Sequence, residues 1–275
     1  MILGHELHGR GADGVIVMHD FYGCRDTWAF ARQFFDVDRF TYAFAEIRGY
    51  GESRNMPGQY TPREAAADIL HLADNLGWRR FHVVGHSLSG MLAQRVVLDG
   101  GARIKSAVLN TPVAASGLSF SPEGFKLIEG SIDSDELLGQ AFAALTGNRL
   151  GPEWERFKIR QQRAARNRLA NHAYLKSSAE QGFLDEMRGN RTPMLVIVGE
   201  FDMEPFTETT ARDTFLKWYP NAELAVCRNA GHYPQQEAPV YVATVMNEFL
   251  GRQIGQIASS DGQDNRPISR NRAPL

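Results

Sequence analysis

Phe81-His82-Val83-Val84-Gly85-His86-Ser87-Leu88-Ser89-Gly90 is an apolar run that delivers a serine between small residues, with a helix-forming stretch, Met91 to Leu98, directly behind it. A strand that turns into a helix this abruptly forces the turn residue into a strained backbone and lifts its side chain above the sheet. Gly85 leaves room before the serine, and Ser89 and Gly90 leave room after it. Larger side chains there would strike the neighbouring strand and helix. A serine exposed at such a helix start is placed to be a nucleophile. Serines near glycines also cap helices in ordinary turns. Strand, serine and helix in one register favour the nucleophile.

The same alternation continues on both sides. Val15 to Met18, Thr41 to Ala45, Phe81 to Val84, Ile104 to Leu109, Met194 to Val198 and Glu223 to Cys227 read as strands. Several are apolar nearly throughout, as parallel strands buried on both faces are. Between them lie amphipathic runs, roughly Thr27 to Phe35, Thr61 to Leu76, Ser87 to Asp99, Thr209 to Trp218 and Pro239 to Leu250. Thr61-Pro62-Arg63-Glu64 opens one of these with a cap residue, a proline and a glutamate three on. The pattern predicts an α/β fold, a mostly parallel twisted sheet with helices on both faces. Ligands of such sheets bind beyond the carboxyl ends of the strands. Residues 1–112 and 192–251 form the predicted core. Residues 113–191 interrupt it as a helical insertion, a cap, with Asp133 to Leu145 and Pro152 to Leu175 its best helices. Residues 252–275, rich in Gly, Ser, Gln, Asn and Arg, are expected to be a disordered tail.

A chain of 275 residues with 43% hydrophobic residues can bury a sizeable core. A net charge of −2 offers no long-range attraction for nucleic acid or an anionic membrane. Cys24 and Cys227 have no metal-ligand or CxxC spacing and are expected to be reduced thiols. The N-terminus lacks the features of a secretion signal, and no apolar run reaches membrane-helix length. The expectation is a soluble, cytoplasmic protein; nothing in the sequence speaks to its oligomeric state.

A serine hydroxyl needs a base, and the base needs an orienting acid. Two post-strand loops carry them. Met194 to Val198 leads into Gly199-Glu200-Phe201-Asp202, and Glu223 to Cys227 leads to Asn229-Ala230-Gly231-His232-Tyr233-Pro234. The order Ser87, Asp202, His232 is one of three known serine-hydrolase orders. Glu200 is the nearest rival acid, and Asn110, at the other post-strand position, cannot be one. Of the other histidines, His5, His8, His71, His82 and His172 read as structural. His86 points away from Ser87, and His19 fits a loop-organising role. Acyl transfer also needs two backbone N–H groups for the developing oxyanion. Leu88, after the serine, and Phe21, in the loop after Val15 to Met18, are the candidates.

These residues resemble the α/β-hydrolase superfamily, and in particular bacterial α/β-fold hydrolases and carboxylesterases. Val84 to Gly90 looks like the nucleophile elbow and Gly231-His232 the histidine loop, while Glu46-Ile47-Arg48-Gly49-Tyr50-Gly51-Glu52-Ser53 is similar to the D-x-R-G-x-G-x-S turn with glutamate for aspartate. Serine as nucleophile argues against haloalkane dehalogenase and epoxide hydrolase relatives. Two departures stand out. Ser89 replaces a glycine, and His19-Asp20 replaces His-Gly. Asp20 would disfavour anionic substrates, or turn outward and bond its loop.

The resemblance implies a serine esterase in which His232, oriented by Asp202, takes the Ser87 proton during attack on an ester, with no metal or organic cofactor. Lactone opening, C–C bond hydrolysis and peracid formation are alternatives with the same triad, and a ligand receptor is another. Tyr22, Trp154 and Tyr233 are candidate substrate contacts, with Phe21, Trp28, Phe125 and Phe142 further aromatics of that region. Arg156, Arg160 and Arg163 share one helix face, which would greet an acidic substrate or simply be solvated.

Overall fold

Seven strands form one sheet in a computed structural model that describes residues 1–261. They are β1 (His5–Gly9), β2 (Asp13–Met18), β3 (Phe40–Ala45), β4 (Phe81–His86), β5 (Ile104–Asn110), β6 (Met194–Gly199) and β7 (Ala222–Cys227), in the spatial order β1-β3-β2-β4-β5-β6-β7. Only β1 is antiparallel, pairing His5 with Ala45 and Gly9 with Thr41. The other pairings are parallel.

Period-two alternation sends each central strand's side chains into two cores. Ile16, Met18 and Val83 pack on one face with α1 (Pro62–Asn75) and α2 (Leu88–Gly100). Val15, Val17, Val84 and Ile197 pack on the other, under residues of the last helix such as Met246 and Phe249. Thr61 caps α1 by accepting the Glu64 N–H at 3.2 Å, and the Glu64 carboxylate reaches back to the Tyr60 N–H at 2.7 Å.

Between β5 and β6 the chain is helical: α3 (Pro122–Ser131), α4 (Asp135–Leu145), α5 (Pro152–Ala165), α6 (Arg168–Glu180) and α7 (Leu184–Met187). α8 (Glu208–Asp213), α9 (Phe215–Trp218), α10 (Pro234–Glu237) and α11 (Pro239–Asp261) complete the chain. No helix among the described residues is long and apolar enough to cross a membrane.

Several elements depart from the sequence reading. The edge strand β1 had no strand signal, because its five residues carry a single large apolar side chain, Leu7, which is itself exposed. Residues 27–35 form two short 3-10 turns rather than one helix, as Trp28 and Phe35 are both drawn into the core against Phe44 and Tyr42. The predicted 152–175 helix breaks at Arg166–Asn167. There the Asn167 N–H donates to Gly49 O at 2.9 Å, and its side chain caps α6 through the Leu169 N–H. α11 runs past Leu250 to Asp261, with Gln253 buried, so residues 252–261 of the expected tail are helical. The remainder of that tail, 262–275, lies outside the described residues.

Candidate active site

Ser87 sits between β4 and α2 at φ 55° and ψ −117°, a region a side-chain-bearing residue enters only when its surroundings compel it. The compulsion is steric. A Cβ on Gly85 would lie 1.9 Å from Ser89 O, and one on Gly90 would lie 2.4 Å from the Pro112 ring. The Ser87 N–H donates to Asn110 O at 2.9 Å, which ties the turn to the neighbouring strand end. Ser89, where the family has glycine, donates its hydroxyl to His19 O at 2.5 Å and links the elbow to the loop after β2.

The strand ends bring three distant side chains together. His232 Nε2 is 2.8 Å from Ser87 Oγ, and His232 Nδ1 is 2.7 Å from Asp202 Oδ2. The second Asp202 oxygen accepts the Met203 N–H at 2.8 Å. With both oxygens accepting, the carboxylate is used as an anion, and the histidine proton belongs on Nδ1, leaving Nε2 as acceptor for the serine. Burial lowers the His232 pKa to about 4 against the fields of Asp20 and Glu237, so the ring is a neutral base across the physiological range. Burial also pushes the Asp202 carboxyl up, with the Met203 N–H opposing. Glu200 does not approach His232; it accepts the Asn229 N–H at 3.1 Å and braces the histidine loop.

The histidine is held by its backbone as well. Its N–H donates to Leu145 O at 2.8 Å, at the end of α4, and its carbonyl accepts from His86 Nε2 at 2.8 Å and Thr111 Oγ1 at 3.1 Å. His86 in turn takes a bond from Gln235 Nε2 at 3.0 Å, and Gln235 Oε1 accepts from Asn110 at 2.7 Å. His86 therefore faces away from Ser87 and buttresses His232 from behind.

Phe21 and Leu88 both line the pocket above Ser87, and neither backbone N–H donates to a protein acceptor among the described residues. The Phe21 carbonyl accepts from Tyr50 Oη at 3.0 Å and Asn171 Nδ2 at 3.3 Å, so the 46–53 turn and α6 hold that peptide from outside. His19 organises the same loop: Nδ1 bonds Asp20 O at 2.7 Å and Nε2 accepts the Ile47 N–H at 3.3 Å. Asp20 turns away from the pocket yet inward, not to solvent, and accepts the Tyr22 N–H at 3.2 Å.

The pocket is walled by apolar side chains. Val113, Leu118 and Phe120 follow β5; Ile128, Leu145 and Leu175 come from the insertion; Phe206 comes from the loop after β6. Of the three candidate substrate contacts Tyr22 lines it, and Trp154 and Tyr233 do not. Tyr233 is fully buried with its hydroxyl on Asp20 at 3.3 Å, and Trp154 packs edge-on against it from outside. Trp28 and Phe142 are fully buried in the packing and Phe125 lies off the pocket. Arg156 pairs with Glu153 and Arg160 is exposed, whereas Arg163 is partly buried, pairing with Asp135 and donating to Ile132 O at 2.7 Å.

The strained serine turn lies at the carboxyl end of a mostly parallel sheet, its hydroxyl on a histidine that in turn contacts a carboxylate, both from later loops. The chain belongs to the alpha/beta hydrolase family, whose model matches residues 6–245. It is 29% identical over 226 residues to an uncharacterized carboxylesterase of Bacillus subtilis, covering 78% of this chain and 71% of that protein. It is 31% identical over 105 residues to the dihydrolipoyllysine-residue acetyltransferase component of the acetoin cleaving system of Cupriavidus necator. That match spans 38% of this chain and only 28% of the relative. A bromoperoxidase structure from Bacillus anthracis superposes with a TM-score of 0.79 at 15% identity, over 90% of this chain and 94% of that one, which is a likeness of fold.

Proposed function

We propose that this hydrolase cleaves carboxylic esters of small, mainly apolar substrates through Ser87, His232 and Asp202. The observation that carries the reading is the unbroken contact from carboxylate to imidazole to hydroxyl, at 2.7 and 2.8 Å, on the floor of an apolar pocket. His232 takes the Ser87 proton as Oγ attacks the carbonyl carbon, and the oxyanion rests on the N–H groups of Phe21 and Leu88. Imidazolium then protonates the leaving alcohol, and a water deprotonated by His232 releases the acid from the acyl-enzyme.

The walls argue for the acyl group. No Lys, Arg, Asp or Glu lines the pocket, and apart from Ser87 and His232 its polar side chains are Ser178 and Tyr22, whose hydroxyl is bonded to Ser131 Oγ at 2.8 Å. A carboxylate carried on the acyl side would lose its hydration there without a partner, at a cost of several kcal/mol. Neutral, apolar acyl groups are the expected substrates. The name of the Bacillus subtilis relative agrees with an ester.

The test is turnover of a panel of neutral and carboxylated esters, lactones and β-diketones, with fluorophosphonate labelling. Neutral esters are expected to turn over, and Ser87→Ala to lose both labelling and turnover by several orders of magnitude while melting like the parent. An unreactive Ser87 would instead indicate a ligand receptor, and preference for a β-diketone would indicate C–C hydrolysis.

A further inference from the structure

The proposed chemistry makes no use of Asp20, yet this carboxylate is 1% exposed, and Lys158, from α5 in the insertion, is fully buried. Two charges taken out of water cost several kcal/mol each unless each is answered. Asp20 accepts from the Tyr22 N–H at 3.2 Å, Thr27 Oγ1 at 3.1 Å and Tyr233 Oη at 3.3 Å. Lys158 donates to Gln161 Oε1 at 2.9 Å, and its ammonium lies 4.2 Å from the centre of the Tyr233 ring. Tyr233 thus stands between the two charges, its face toward the cation and its hydroxyl on the anion.

The same carboxylate selects which loop amide stays free. With the Tyr22 N–H bound to Asp20, the neighbouring Phe21 N–H is the one left at the pocket. We infer that Lys158, Tyr233 and Asp20 are positioning residues, a buried column through which the insertion fixes the oxyanion-binding amide of Phe21. This rests on the serine hydrolase reading.

The surroundings leave Lys158 as the counter-charge. His19 and His86, whose Nδ1 is 3.6 Å from Asp20, have pKa values lowered by burial. Tyr22, Tyr50 and Tyr233 also face Asp20, and each phenol is pushed up by burial and stays neutral. Burial lowers the Lys158 ammonium while Asp20 and Cys24 raise it, Cys24 is itself raised to about 11, and His232, which faces both Asp20 and Lys158, is lowered to about 4. Burial works against Asp20, but the field of Lys158 holds it well below the usual carboxylate range.

Wild type, Lys158→Met, Asp20→Asn and the double variant are compared on a neutral p-nitrophenyl ester from acid to alkaline pH, alongside thermal melts. Without its cation, Asp20 titrates higher, so Lys158→Met should lose kcat about tenfold as pH falls, recover at high pH, and keep its KM. Its melting deficit should widen as pH rises, because the buried carboxylate is then ionised. The double variant should lack both pH effects and exceed Asp20→Asn in kcat. Superimposable pH profiles for Lys158→Met and wild type, or a double variant showing the product of the two single losses, would overturn the column. If Lys158→Met is not recovered folded, the double variant against Asp20→Asn decides in the same way. A wild type inert to esters and fluorophosphonate refutes the hydrolase reading instead, and the melts still judge the column.

Discussion

His232 carries the pH behaviour of the site. Its neutral form is the base, and burial lowers its pKa to about 4, so that form persists until the pH approaches that value. Ester turnover should therefore show an acid limb centred near 4, below the 6.5 of an ordinary histidine, when kcat/KM is followed across pH. A limb near 6.5 would mean that the ring is solvated in the working enzyme. Ser89 acts at the same scale. Its hydroxyl bonds His19 O, so Ser89→Ala should fold, keep fluorophosphonate labelling and lower kcat about tenfold by loosening the Phe21 loop, a charge-free bond being worth about 1 kcal/mol.

At the scale of elements, the strand-to-helix turn and the α5–α6 break are the informative joints. The φ of Ser87 survives because Gly85 lets Ser89 O approach where a Cβ would sit. Gly85→Ala should cost about 3 kcal/mol or more in denaturant unfolding, since the opposing atom is backbone and cannot swing aside. Asn167 caps α6 through the Leu169 and Ala170 N–H groups, and Asn167→Ala should cost about 1 kcal/mol by the same measurement. Neither the break nor the cap stood out in the sequence. The apolar spacing runs on through Arg166, and only docking against Gly49 interrupts it. The turn at Ser87 was legible because glycine, serine and the change of period from two to 3.6 fall within ten consecutive residues.

The whole molecule pays for its dry interior in acid. His82 is held down to about 3 and His232 to about 4 by burial, and both start from 6.5 in the unfolded chain. Between those values the unfolded state binds more protons, so stability is full above 6.5 and falls as pH drops toward 4. Each ring contributes a slope of roughly 1.4 kcal/mol per pH unit within that window. Denaturant unfolding at pH 7 and pH 5 should show the loss, and His82→Gln should remove one ring's share of it. Equal stability at both pH values would show that these rings are solvated.

By itself the sequence determined the alternation of buried strands and helices, the glycine-relieved serine turn, and the order of serine, carboxylate and histidine along the chain. Those signals are local: periodicity, small residues and post-strand loops are written in neighbouring positions. Tertiary structure alone decided the edge strand β1, the pocket walls of Leu118, Ile128, Leu145, Leu175 and Phe206, and the exclusion of Trp154 and Tyr233 from them. It also decided that Asp20 would meet the hydroxyl of a tyrosine whose ring face bears a lysine from the insertion. Such contacts join segments distant in the chain, from 40 residues for His5 and Ala45 to 213 for Asp20 and Tyr233, and which apolar or charged side chain fills a given space depends on how whole helices pack.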